Sequence, residues 1–401
     1  EAEKELKDEN FTERAELQKV QYLFQAGKFK KARKLAQKLL QDDGNLSQAT
    51  RTVAHFRIAA SERRLGNAEA AATHFLKAFE AGGQGAFTRQ CLFLAAESFR
   101  QAGKHEKATA NYRRLREEFP DSALAQQAQL GLGVNAVQMK KFSTGQTMLE
   151  KYLSSNQKDT PGNMQMARRF LGVALLNQSK PGKAVPVLEE ILKDKKLSKK
   201  ARLETLQTLG IALQRAGQHS KSATRFHEAA QVADKRKPTF LILAGQGHLN
   251  AREFQKAADV FRKTLESSNL TEKVQKVTRV LLARSLQGQE KYAEAEEQYR
   301  KALPTENLQA YAGLAACLAE TGSHREAARN YLKVNIFAQN PKTKAEALLN
   351  AAEAFSRAGV SKKATKYLKQ VAEKYPDTEY GNRARKRLGM EKKQKMDSSG
   401  E

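Results

Sequence analysis

Residues 103–120 read GKHEKATANYRRLREEFP and contain the pattern on which the fold prediction depends. After the opening glycine come His105, Ala108 and Tyr112, and the stretch ends in proline. Ala108 and Tyr112 are four residues apart, so they lie on one face of an α-helix. The small residue lets a second helix approach closely, and the large residue fills the space beside it. The stretch therefore predicts a helix that packs against a neighbour and stops at the proline.

This anchor pattern recurs along the whole chain, which indicates internal repeats. Four residues after the alanine position, nine of the ten copies have a large apolar residue. Each copy reads as two amphipathic helices joined by a turn, and no strand-like alternation occurs. The copies begin 32 to 39 residues apart, at Gly27, Gly66, Gly103, Lys140, Ser179, Gly217, Arg252, Glu290, Gly322 and Gly359.

These features resemble the tetratricopeptide repeat over about residues 11–390. The chain lacks tryptophan, and its repeats are longer than the common form of about 34 residues. The resemblance implies an all-α, right-handed superhelical solenoid of about ten helical hairpins, with the first helix of each hairpin on the concave face. The Leu-Gly pairs that the family carries in its first helices stand here as Leu132-Gly133, Leu171-Gly172 and Leu209-Gly210.

The composition at both ends departs from the repeats. Residues 1–10 are polar and predict a helix or tail, and residues 11–376 form the predicted solenoid. Residues 377–390 predict a helix that caps the last repeat, as terminal elements of solenoids do. Residues 391–401 form a basic, polar tail that we expect to be disordered.

The resemblance also implies which residues would meet a partner. In this family the fifth and ninth residues of each first helix face the groove. The Lys and Asn of the family's carboxylate clamp occur at none of these positions, which disfavours binding of a partner's C-terminal carboxylate. Most of the fifth positions are apolar, which suits an extended segment or an amphipathic helix. The alternative is that some of these residues pack only against the next repeat. The predicted groove residues are Phe93, Glu97, Leu130, Val134, Arg169, Val173, Gln207, Ile211, Ile242, Gln246, Val280 and Arg284.

The chain carries 71 Lys and Arg against 44 Asp and Glu, a net charge of +27. The basic clusters fall in second helices and turns, which predicts a basic surface on the convex face and edges. An adaptor that binds a polyanion, such as a membrane surface, glycan or nucleic acid, is therefore the alternative function. Nucleic acid is disfavoured because aromatic residues are not interleaved with the cations. The predicted basic-surface residues are Lys195, Lys196, Lys199, Lys200, Lys235, Arg236 and Lys237.

No catalytic, cofactor or metal motif stands out. The match Gly131-x-Gly133-x-x-Ala136 to a dinucleotide fingerprint lies within a predicted helix and lacks a preceding strand. His105, His219 and His324 occupy the aromatic position of the anchor pattern, where packing is expected. Cys91 and Cys317 predict small buried side chains in first helices. The repeats, together with the lack of such a motif, favour a non-catalytic scaffold that binds partner proteins. An enzyme accessory or remote hydrolase stays open as a further alternative.

Two repeat junctions bear on localisation. Residues 119–125 (FPDSALA) and 375–381 (YPDTEYG) resemble junctions in bacterial envelope proteins, such as the outer-membrane assembly lipoprotein and the Tol–Pal coordinator. The resemblance implies a periplasmic or cell-envelope setting. Two cysteines also suit a reducing compartment, so the cytoplasm is the alternative. No apolar run reaches the ~18 residues of a membrane-spanning helix.

Overall fold

A computed structural model describes residues 2–41, 46–82, 85–155, 159–268, 270–305 and 307–390, without the side chains of residues 2–11. Over these residues it contains 21 α-helices and no β-strand. The chain divides into two compact units, residues 1–196 and 197–401. The predicted all-α fold of successive helix pairs is confirmed.

The first unit contains five helix pairs within its described residues, and each helix packs against the next. Odd-numbered helices are the first and even-numbered helices the second of a pair. The helices are α1 (Ala2–Gln25), α2 (Phe29–Gln41), α3 (Gln48–Arg64), α4 (Ala68–Gly82), α5 (Ala86–Gln101), α6 (His105–Glu118), α7 (Ala123–Gln138), α8 (Phe142–Ser155), α9 (Pro161–Asn177) and α10 (Pro181–Leu192).

The second unit contains five further pairs and one additional helix in the part of it that is described. They are α11 (Lys199–Arg215), α12 (His219–Val232), α13 (Lys237–Asn250), α14 (Phe254–Leu265), α15 (Glu272–Gly288), α16 (Tyr292–Ala302), α17 (Leu308–Glu320), α18 (His324–Phe337), α19 (Pro341–Arg357), α20 (Ser361–Lys374) and α21 (Glu379–Arg387).

In every pair, the turn between the two helices contains the first residue of the anchor pattern. All ten of these residues have a positive φ, between 57° and 88°. Six are glycines, which adopt this conformation without a Cβ clash, and four are not. In the third pair, the N–H of Lys104 donates to the carbonyl of Phe99 at 2.9 Å, the bond that closes a Schellman turn.

The anchor pattern forms the seam between the helices of a pair. Ala108 and Tyr112 are fully buried, as both positions are in most other pairs. The glycine of each Leu-Gly pair lies where the large residue of the second helix enters. A Cβ on Gly172 would lie 2.6 Å from Leu188 Cδ2, and one on Gly210 would lie 2.6 Å from Phe226 Cε1. The glycines are therefore required by packing, because any side chain there would overlap its neighbour.

The ends of the chain are helical as far as they are described. α1 begins at Ala2, so residues 2–10 continue into the first pair. At the other end, Thr378 caps α21 by accepting a hydrogen bond from the Gly381 N–H at 3.0 Å. α21 packs on both α19 and α20, and Leu388 lies against their apolar side chains. The predicted disordered tail, residues 391–401, lies outside the described residues.

Candidate functional site

First helices of the first unit border an open pocket of about 420 Å³. All of its lining residues come from α3, α5, α7 and α9, and none comes from a second helix. The resemblance assigns just these helices to the concave face, and we call this recess the concave pocket. The lining residues are Arg63, Phe93, Leu94, Glu97, Arg100, Gln101, Gln127, Leu130, Gly131, Val134, Asn163 and Met166.

The floor of the pocket is apolar. Leu130 and Val134 are 4% and 1% exposed, so little of either residue is open to water. Phe93 is half-buried, and its ring centroid lies 6.2 Å from that of Tyr112 in α6. Met166 is 37% exposed at the rim. An apolar side chain placed here would lose contact with water on several sides, which is favourable by about 25 cal/mol per Å² of buried apolar surface.

One wall of the pocket is a partly buried ionic network around Glu97. Its carboxylate accepts hydrogen bonds from Arg100 Nη2 at 2.6 Å and from the Tyr112 hydroxyl. Arg100 Nη1 also donates to Gln138 Oε1 at 3.2 Å. The network therefore fixes the orientation of Glu97 from two sides.

Burial, followed by the nearby Glu97 carboxylate, holds the Tyr112 pKa well above its usual range. Burial by itself would lower the pKa of Arg100, but its hydrogen bond to Glu97 and that charge raise it overall. At neutral pH the tyrosine is thus neutral and the arginine charged. With Arg63 included, the charged residues lining the pocket sum to a net positive charge.

Four of the twelve predicted groove residues, Phe93, Glu97, Leu130 and Val134, line this pocket together. The other eight do not line it. The Arg169 guanidinium lies 5.2 Å from the Phe170 ring centroid. Val173, Gln207, Ile211, Ile242 and Gln246 are half-buried, Val280 lies in the core of the second unit with 2% exposure, and Arg284 is exposed.

The other eight residues that line the pocket were not predicted as groove residues, because they do not occupy fifth or ninth positions. The signal that could have found several of them is helical spacing, since Arg100 and Gln101 lie three and four residues beyond Glu97. By the same spacing, Met166 lies three residues before the predicted groove residue Arg169 and shares a face of α9 with it.

All seven predicted basic-surface residues are exposed. Lys195 and Lys196 belong to the first unit and the other five to the second. Lys199 Nζ forms an ion pair with Asp234 Oδ1 at 3.0 Å. Arg236 donates from Nη2 to Gln207 Oε1 at 3.1 Å. Arg236 therefore lies beside a predicted groove residue, and not on the outer surface alone.

The histidines and cysteines singled out in the sequence lie at helix-packing positions. His105 Nδ1 is 2.7 Å from the Oδ1 of buried Asn135. The Nδ1 atoms of His219 and His324 are buried and have no hydrogen-bond partner among the described residues. Cys91 and Cys317 are fully buried, and burial raises the pKa of each thiol to about 12. In the nucleotide-like motif, a Cβ on Gly131 would overlap Tyr112 and one on Gly133 would overlap Leu149, so both glycines lie at helix-packing positions.

A histidine pair also escaped the sequence prediction. His55 in α3 and His74 in α4 have their Nδ1 atoms 3.2 Å apart. Burial, then His74 and Lys77, lower the pKa of His55 to about 4. Burial followed by Lys77 lowers the pKa of His74 as well, against the opposite effect of Glu62.

Comparison with protein families identifies the repeats. One model of the tetratricopeptide repeat matches residues 90–122 and 346–378, and another matches residues 208–269 and 280–342. Together with the ten helix pairs, these matches place the chain in the tetratricopeptide repeat family, whose repeats form scaffolds for protein–protein interaction. No helix over the described residues combines the length and apolar character needed to cross a membrane.

Several solved structures are similar at low sequence identity. A tetratricopeptide repeat protein from Parabacteroides merdae has 16% identity, with 68% of this chain and 98% of that chain covered and a TM-score of 0.46. The C-terminal part of a repeat protein from Cytophaga hutchinsonii has 16% identity, coverage of 73% and 98%, and a TM-score of 0.44. YrrB, a repeat protein with an unusual peptide-binding site, has 19% identity, coverage of 50% and 97%, and a TM-score of 0.39. No curated protein sequence matches the chain significantly.

Proposed function

We propose that the chain is a non-catalytic scaffold that binds a peptide or helix of a partner protein along the first helices of its first unit. The observation that carries this proposal is the pocket between α3, α5, α7 and α9, lined by first-helix residues only. A scaffold role agrees with the family, which is generally non-enzymatic.

The lining of the pocket specifies the chemistry of the partner segment. Leu130, Val134 and Phe93 suit one large apolar side chain. Arg63 and Arg100 favour an acidic residue beside it, since Glu97 balances only one of the two cations. The amides of Gln101, Gln127 and Asn163 can bond the backbone of an extended segment or polar groups of a helix. A segment that combines a large apolar residue with a neighbouring Asp or Glu fits best.

The test is selection of peptide ligands from a displayed library, followed by affinity measurements on variants. Met166→Glu places a charge at the pocket rim and should weaken the selected peptides at least tenfold, which corresponds to about 1.4 kcal/mol. Val277→Glu is the matched control, because Val277 lies in the second unit with 39% exposure against 37% for Met166. Unchanged binding by Met166→Glu, or equal loss in both variants, would contradict the proposal.

A cell-envelope setting belongs to the same proposal and rests on the junctions at residues 119–125 and 375–381. Fractionation of cells that express the native gene tests it. Recovery of the protein in the periplasmic or membrane fraction supports the setting, and recovery with cytoplasmic markers supports the alternative.

The polyanion adaptor is a second candidate function, favoured by the exposure of all seven basic-surface residues. Binding of this kind depends on release of counterions and must fall steeply as salt is raised. Titration with heparin at increasing salt tests it. Binding that is weak and insensitive to salt would remove this candidate.

A further inference from the structure

A second recess lies in the first helix pair, apart from the pocket between first helices. It is a trough of about 570 Å³ between α1 and α2. Leu23 of α1 and Leu35 of α2 supply apolar surface, and both also pack against the buried core formed by Val20, Ala32 and Ala36. The trough is bordered by Lys19, Lys31, Lys34 and Lys38.

The trough faces away from the rest of the first unit. Gln21 of α1 accepts a hydrogen bond from Arg57 of α3 at 2.8 Å, so its side of α1 faces the second helix pair. Lys19 and Leu23 each lie two residues from Gln21, about 200° around the helix. They therefore occupy nearly the opposite side of α1. The trough is a surface of its own and does not continue the concave pocket.

The charge around the trough is strongly unbalanced. α2 has five Lys or Arg residues and no Asp or Glu between Phe29 and Gln41. Arg33 pairs with Glu62 at 3.0 Å, and Lys19 pairs with Glu16 at 3.7 Å. The lysines at positions 31, 34 and 38 form no ion pair with any residue whose side chain the structure describes. Three cations thus border an apolar floor without a described counter-charge.

The spacing of these lysines matches a helical ligand. Residues three, four and seven apart follow one face of a helix over two turns, about 10 Å. Carboxylates at the same intervals on a second helix would meet them in register, while apolar side chains between the carboxylates enter the trough. A membrane surface fits less well, because Leu23 and Leu35 are half-buried against the core, whereas the lysines at positions 31, 34 and 38 are exposed.

We infer that the trough between α1 and α2 binds an acidic amphipathic helix of a partner protein, with leucine or phenylalanine on the face between its Asp and Glu residues. The segment that binds in the trough is distinct from the segment held by the concave pocket. It belongs either to a different partner or to a second part of the same partner. It does not depend on the function proposed above.

The test uses a fluorescein-labelled 14-residue helical peptide, with Leu at positions i, i+3, i+4 and i+7 and Glu flanking them, and the full 401-residue chain. The same peptide with Lys in place of Glu is the ligand control. We expect the acidic peptide to bind, with an affinity that falls as salt screens the charges, and the basic peptide to bind at least tenfold more weakly. Absence of binding by the acidic peptide would overturn the inference.

The protein variant is Lys31→Glu/Lys34→Glu, which should weaken the acidic peptide at least tenfold. The control is Lys363→Glu/Lys366→Glu, because these lysines occupy the same positions after the turn glycine of the tenth pair and change the net charge equally. Equal loss in both variants would show general charge attraction and overturn the inference. Met166→Glu should leave this affinity unchanged, so the trough and the concave pocket are tested separately.

Two other occupants are distinguished by the same variants without peptide. Self-association in light scattering that Lys31→Glu/Lys34→Glu abolishes would identify a second copy of the chain as the occupant. Binding to phosphatidylglycerol vesicles that the same variant abolishes would identify a membrane. Either result would overturn the inference, and circular dichroism spectra identical to the wild type ensure that loss of binding reflects the surface.

Discussion

The turn residue of each helix pair carries backbone strain wherever it is not glycine. Lys140 has φ 61° and is exposed, and a residue with a Cβ in this region costs about 1–2 kcal/mol. Glycine removes this strain but gives the unfolded chain about 0.4–1 kcal/mol more conformational entropy. We therefore expect Lys140→Gly to raise the free energy of unfolding by about 0.5–1 kcal/mol.

Thermal and urea unfolding monitored by circular dichroism measure this effect. Gly103→Ala is the reverse change in the preceding pair, where φ is 72°, and it should lower the unfolding midpoint. A lower midpoint for Lys140→Gly would contradict the strain argument.

The histidine pair His55–His74 makes the stability of the folded chain depend on pH. The folded-state pKa of His55 is about 4 and that of His74 is also lowered, whereas an unfolded histidine titrates near 6.5. Below pH 6.5 the unfolded chain therefore binds more protons than the folded chain. The contribution of the pair is complete above pH 6.5 and is lost as the pH falls toward 4.

His55→Gln/His74→Gln should reduce this acid destabilisation. The measurement is the unfolding midpoint of wild type and variant at pH 7.5 and pH 5. The wild type should lose more stability between the two values than the variant does. Equal losses would mean that the pair does not couple protonation to folding.

These residues also differ in how far the sequence could predict them. The turn glycines and the seam residues Ala108 and Tyr112 could be predicted because ten copies of one pattern show which positions are constrained. The pair His55–His74 could not, since the two residues are 19 positions apart and neither lies in the anchor pattern. Only the packing of α3 on α4 brings them together.

Helix pairs depend on glycines where two helices come closest. A Cβ on Gly172 of α9 would overlap Leu188 of α10, and overpacking of this kind costs about 1–3 kcal/mol. We expect Gly172→Ala to lower the unfolding midpoint. Gly182→Ala in α10 is the control, because a Cβ there meets nothing within 4 Å and alanine favours helix. Its midpoint should be unchanged or higher, and equal destabilisation by both changes would contradict the packing explanation.

The concave pocket could be predicted only in part, because it depends both on single helices and on how neighbouring helices are placed. Helical periodicity places Phe93 and Glu97 on one face of α5, and Leu130 and Val134 on one face of α7. The contribution of α9 through Met166 depends on the offset and angle between neighbouring first helices. The offset and the angle are set by how the side chains pack in each seam, and the periodicity of the sequence does not reveal that packing.

Ion pairs join neighbouring pairs over much of the chain's second half. Arg262 of α14 contacts Glu294 of α16 at 3.5 Å, and Arg300 of α16 contacts Glu326 of α18 at 2.8 Å. These pairs are about half exposed, so each contributes at most about 1 kcal/mol. These ion pairs also neutralise cations along the second helices. The uncompensated lysines of α2 differ from this arrangement, and the net charge of +27 is thus distributed unevenly.

At the scale of the whole molecule, each compact unit contains one cysteine. Cys91 belongs to the first unit and Cys317 to the second, and both are fully buried with a thiol pKa near 12. Because the thiolate is the reactive form, neither cysteine should react with Ellman's reagent at pH 8 while its unit is folded. Each reaction therefore reports the opening of one unit.

Cys91→Ala and Cys317→Ala leave a single reporter each, and their labelling rates measured across a urea series should differ. Neighbouring repeats stabilise one another locally, so the opening free energy depends on the contacts of each unit and not on the chain as a whole. Rapid labelling without urea would contradict the burial of the thiols. Identical rates at every urea concentration would show that the two units open in one cooperative step, against the locality expected of a repeat protein.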